Sequence, residues 1–135
     1  LSSFENIPEK IAKTIKRVQQ ALAEKEVKWY SLILFGSQAK GRASKQSDID
    51  VLMLAEQTQE TSEAANTVRR TIPHIDLHVH SPEDFKEMLD DNEENLAKLI
   101  ATSHKAVYNP RPFYELITRS RYNATLQALS RPTYW

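Results

Sequence analysis

The chain has no cysteine and only two glycines, Gly36 and Gly41, in 135 residues. The first absence excludes disulfides and thiolate metal sites and fits a reducing compartment. Net charge is also missing: 18 basic residues balance 18 acidic ones. Without an overall positive field, direct binding to a nucleic-acid backbone is not expected. No apolar run reaches membrane-spanning length and no signal-peptide pattern is visible, so a cytoplasmic location with no membrane partner is expected. The length suits one domain with a single core, and neither repeats nor low-complexity tracts interrupt it.

Both glycines fall in one stretch, Ser31 to Leu54. Two apolar, β-prone segments, Leu32 to Phe35 and Ile49 to Leu54, flank a small and polar connector. Glycine directly after a strand marks a place where φ turns positive or backbone comes close to something. Gly36-Ser37 offers bare backbone N–H groups and a hydroxyl, which suit phosphate oxygens. The connector also carries Lys40, Arg42 and Lys45, three positive charges beside that turn. It is not a P-loop, because Gly41 is followed by Arg42 and Ala43 rather than by Lys and a hydroxyl residue.

The second segment carries Asp48 and Asp50. On an extended strand, residues two apart share a face and lie about 6–7 Å apart. The two carboxylates are therefore expected to point together, with Ile49, Val51 and Met53 turned into the core. Like charges so placed repel, and a hard divalent cation, Mg2+ first, relieves that repulsion.

Elsewhere the periodicity reads as scaffold. Asn6, Pro8 and Glu9 predict a helix start, and Ile11, Ile15, Val18 and Leu22 follow helical spacing. Glu60 to Thr71 predicts a second helix closed by Pro73. His74 to Ser81 alternates as a strand, with Asp76, His78 and His80 on one face. An alternative use of that face is a transition-metal site built on the two histidines and Asp76. Ser81-Pro82 predicts another helix start, with Phe85, Met88 and Leu89 buried behind it. Leu96, Leu99 and Ile100 predict a further helix, followed by a short strand from Lys105 to Tyr108. The order of elements implies an α/β architecture with a mixed sheet flanked by helices. Residues 1–110 read as one folded unit, the catalytic domain in the resemblance given below, and 111–135 as a helical, aromatic extension that could face a partner.

Gly36-Ser37, then ten residues, then Asp48-x-Asp50 in the context Ser47-Asp48-Ile49-Asp50-Val51 resembles the signature of the polymerase-beta-like nucleotidyltransferase superfamily. Within it, the chain resembles the minimal nucleotidyltransferases, and the resemblance runs from about Val18 to Tyr108. It implies the polymerase-beta-like fold, with a third carboxylate, Asp76, arriving from a later strand. Asp48, Asp50 and Asp76 would be the catalytic and metal-binding residues, holding two Mg2+ ions. Gly36, Ser37, Lys40, Arg42 and Ser47 would bind the nucleotide, with ATP as donor. Relatives often carry Arg directly after the Gly-Ser pair, where this chain has Gln38. Chains of this kind are commonly antitoxins that transfer AMP to a tyrosine of a cognate HEPN-type ribonuclease toxin, the partner the resemblance implies. Two other readings stay open here: an antitoxin that works by binding alone, and an enzyme that modifies small molecules such as aminoglycosides. The oligomeric state is open too.

Overall fold

Strands β1 (Ser31–Phe35) and β2 (Ile49–Leu54) are the most apolar stretches of the chain, and they form the middle of a four-stranded sheet. In this computed structural model, which describes residues 7–41 and 48–121, the strand order is β3-β2-β1-β4, with β3 spanning Ile75–His80 and β4 spanning His104–Tyr108. β1 runs antiparallel to both β2 and β4, whereas β2 and β3 are parallel. This is the mixed sheet expected from the sequence. A parallel pair needs a crossover, and α3 (Gln59–Thr71) supplies it.

Every residue of β1 is buried, and so are all of β2 except Asp50. That pattern requires cover on both faces of the sheet. On one face, Ile11, Ile15, Val18 and Leu22 of α1 (Glu9–Glu24) and Ala64, Ala65 and Val68 of α3 pack with Leu32, Leu34, Val51, Met53 and Leu77. On the other, Phe85 and Leu89 of α4 (Pro82–Asp90), Ala97 and Ile100 of α5 (Leu96–Thr102) and Phe113 of α6 (Arg111–Arg119) pack with Ile33, Phe35, Leu52 and Leu54. The carboxylates of the site belong to this second face.

Local signals act as written at several ends. The Ser81 hydroxyl accepts from the Asp84 N–H at 3.1 Å with Pro82 in the first turn, and the Thr58 hydroxyl accepts from the Thr61 N–H at 3.1 Å. α1 begins at Glu9 after Pro8, without a side-chain cap, and the expected capping residue Asn6 lies outside the described residues. Two expectations are corrected. The segment after Gly36 is not a plain loop but a one-turn helix, α2 (Gly36–Ala39), closed by the Lys40 N–H donating to the Gly36 carbonyl at 3.2 Å. Leu99 does not join the buried stripe of α5; it is 44% exposed, because Ala97 and Ile100 set the inward face of that short helix.

α6 is pinned to the second layer at its far end as well. Asp90 at the end of α4 accepts from Lys86 Nζ and from the Arg121 backbone N–H, each at 2.8 Å. The Lys86 hydrogen bond, followed by that of Arg121, holds the Asp90 carboxyl below the usual carboxylate range against the opposing effect of burial. A lowered folded-state value means stability that is present above the unfolded carboxylate range and is lost as pH falls through the folded value. Asp90→Asn should therefore lower the unfolding free energy by about 1–2 kcal/mol at pH 7. In denaturant melts the gap should narrow as pH falls below the ordinary carboxylate range and through the lowered folded value; a gap that stays constant with pH would refute the assignment.

Candidate active site

Asp50 and Asp76 are register partners on the parallel strands β2 and β3, so their side chains leave the same face of the sheet on neighbouring strands. The position of Asp76 is set by its neighbours. Leu77 and Val79 must enter the first core, which turns Asp76 and His78 to the other face. Farther along β2 the same face carries Leu52 and Leu54, both buried under α4, α5 and α6. The polar cluster therefore occupies the end of the sheet where β2 and β3 begin.

Three groups converge there. One ligand atom from each of Asp50, Asp76 and His78 lies within 4.8 Å of the others. His78 Nε2 stands 3.2 Å from Asp76 Oδ2, and its ring meets the Phe35 ring edge-on at a centroid distance of 5.2 Å. Burial first, and the Asp76 carboxylate second, push the Asp50 carboxyl above the usual range; a side-chain hydrogen bond with Asp76 and the charge of Asp48 add to this, while His78 opposes it.

Gly36 closes the site from the β1 side. Its φ is +73°, and a Cβ built there would overlap Asp50 Oδ2 and stand 3.2 Å from Asp50 Cγ. Only a residue without a side chain lets the turn after β1 lie this close to the carboxylate. Ser37 follows it in α2, and Lys40 is exposed at the end of that helix.

The other expected site residues are placed as follows. Asp48 precedes β2 rather than lying on it, and its Oδ1 is 3.9 Å from His74 Nδ1, both side chains being exposed. It is not in the cluster formed by Asp50, Asp76 and His78, although its charge reaches Asp50. The ladder explains this: the first β2 donor is the Ile49 N–H, bonded to the His74 carbonyl at 2.8 Å, so strand alternation does not govern residue 48. Arg42, Lys45 and Ser47 lie outside the described residues. His80 does not join the cluster. Burial first and then the charge of His78 hold its ring below the usual histidine range, with Asp84 and Glu94 opposing. The Asp76-His78-His80 metal site considered from the sequence is therefore not the one formed; Asp50 takes the place given there to His80.

Two carboxylates forced together, one of them partly buried, form a donor set suited to a hard divalent cation, which would offset both the burial and the repulsion that raise Asp50. The glycine-width gap beside Asp50 suits close approach of backbone to a phosphate. The family model described as polymerase beta, nucleotidyltransferase, fits residues 9–112. The chain belongs to that family. No curated protein matches it in sequence. Among solved structures, a chain of a toxin–antitoxin crystal structure with AMP-PNP is 18% identical with a TM-score of 0.51, over 87% of this chain and 88% of that one. A structure of a tri-AMPylated Shewanella oneidensis HEPN toxin in complex with MNT antitoxin gives 18% identity and a TM-score of 0.48, over 87% of each chain. The first of these likenesses confirms the fold expected from the Gly-Ser and Asp-x-Asp spacing. Among the described residues, no helix is long and apolar enough to cross a membrane.

Proposed function

We propose that this nucleotidyltransferase moves AMP from ATP to a hydroxyl, and that the acceptor is a tyrosine of a HEPN-type ribonuclease toxin for which the chain is the antitoxin. The observation that carries the reading is the register pairing of Asp50 with Asp76 beneath the Gly36 turn. Such a pair has no structural use at this position: it raises the cost of ionising Asp50 and contributes nothing to either core. The choice of acceptor follows the resemblance to minimal nucleotidyltransferases. It is in keeping with a zero net charge, which gives a nucleic-acid acceptor no field to follow.

In this reading the triphosphate lies along Gly36 and Ser37, with Lys40, Arg42 and Ser47 available to its outer oxygens. Asp50 and Asp76, with Asp48 just ahead of β2 as a further carboxylate, would hold Mg2+, which when bound would supply charge neutralisation for the triphosphate and the leaving pyrophosphate. Asp76, 56% exposed and therefore open to an incoming group, orients the acceptor hydroxyl and accepts its proton. The acceptor oxygen bonds to the α-phosphorus as the bond from that phosphorus to the β-phosphate bridging oxygen breaks. AMP is then esterified to the acceptor and pyrophosphate departs. The sheet contributes fixed geometry, so that charge develops where the donors already stand. Residues 111–135, with α6 at their start, are the part we assign to partner contact.

Incubation of the protein with its co-expressed partner, labelled ATP and Mg2+ tests this directly. Label should reach the partner, its intact mass should rise by whole AMP units, and Asp48→Asn should lose both signals. Label on this chain alone, or protection of cells by an Asp48→Asn protein that transfers nothing, would replace the proposal with self-modification or with inhibition by binding.

A further inference from the structure

The residue at the site with no assigned role is His78. It leaves β3 on the same face as Asp76, two positions farther along, and a ring nitrogen lies within 4.8 Å of a carboxylate oxygen of both Asp50 and Asp76. The ring is held rather than loose: it is 27% exposed, edge-on to Phe35, with Nε2 drawn toward Asp76 Oδ2 at 3.2 Å. Ligands around one divalent ion with bonds of about 2.1 Å stand about 3–3.4 Å apart. The His78–Asp76 pair already meets that spacing, and all three ligand atoms lie within 4.8 Å of one another.

An all-oxygen set suits Mg2+, whereas an imidazole nitrogen shifts preference toward first-row transition ions. We propose that His78 supplies a nitrogen ligand to the cation held by Asp50 and Asp76, so that the site takes a first-row transition ion, for which Mn2+ serves as the probe, in preference to Mg2+. The inference rests on the carboxylate site assigned above and extends it by naming the class of cation. A histidine that merely balanced the Asp76 charge would do nothing of the kind, since it would not touch the ion.

The test uses the whole metal-free chain titrated with MnCl2, free Mn2+ being read by electron paramagnetic resonance, and with MgCl2 by calorimetry. Parent protein should bind Mn2+ more tightly than Mg2+ and show nitrogen coupling on bound Mn2+ in pulsed spectra. His78→Ala should weaken Mn2+ by at least about tenfold, abolish the nitrogen coupling and leave Mg2+ within about twofold. His78→Gln, which keeps the bulk against Phe35, should behave likewise. Absence of nitrogen coupling in the parent protein, or an equal loss of both cations in the two variants, would overturn the proposal. Asp50→Asn separates the two levels. If it leaves binding of both ions intact, the carboxylate site falls and His78 with it; if it abolishes binding while His78→Ala changes nothing, only the nitrogen ligand falls.

Discussion

Asp50→Asn should make the metal-free protein more stable and the enzyme nearly inert. The Asp50 carboxyl is raised by burial and by Asp76, so its ionised form is disfavoured in the folded state. For a group raised in this way, the stabilising contribution is full below the unfolded carboxylate range and is lost as pH rises through the folded value. At neutral pH the parent protein therefore carries the penalty, and an amide does not. In the presence of a chelator, the variant should melt about 2–4 °C above the parent at pH 7.5, with the difference shrinking as pH is lowered toward 4. Saturating Mg2+ should reverse the order, because ligand binding stabilises only the chain that retains the donor. Transfer should fall by about 10³-fold, equivalent to about 4 kcal/mol of barrier. Differential scanning fluorimetry with and without chelator, beside a pyrophosphate-release assay, checks both halves. A variant that is less stable than the parent without metal would show that Asp50 supports the fold, and the site would have to be reconsidered.

Gly36→Ala carries the second large effect, for a reason that combines backbone and side chain. At φ +73° an alanine is strained whatever the surrounding space, at a cost of about 1–2 kcal/mol. Its Cβ would in addition overlap Asp50 Oδ2, so the carboxylate must swing out of its place in the site or the turn must move. We expect a drop of about 5 °C or more in the melting temperature and a loss of transfer of about 10²-fold or greater. The double variant Gly36→Ala/Asp50→Ala separates the two causes. With the carboxylate gone, only the backbone strain should remain, and the alanine at position 36 should cost less than in the parent background. Equal costs in both backgrounds would mean that Gly36 is required for its φ alone.

Much of the scaffold was legible because its signals are local and redundant. The stripe of α1, the Ser81-Pro82 start of α4 and the doubly buried runs of β1 and β2 each declare themselves within a few residues. The pairing of Asp50 with Asp76 is different. It joins residues 26 apart through a crossover, and only the resemblance in sequence anticipated it. Strand alternation foretold that Asp76 and His78 share a face. It could not say that Asp50 rather than His80 would complete the trio, since that depends on which strand lies beside β3. Alternation also overreached at Asp48, which lies one residue before the ladder begins. The α2 turn was missed because four residues are too few to carry a helical period.

The parallel register of β2 and β3 ties chemistry to folding in one further way. A slip of one residue along β3 would set Leu77 against Asp50 and expel the apolar side chains of that strand from the first core. Misaligned chains are thus rejected by water before chemistry is ever tried, and any molecule that completes its sheet has, by the same act, measured out the spacing between its acids.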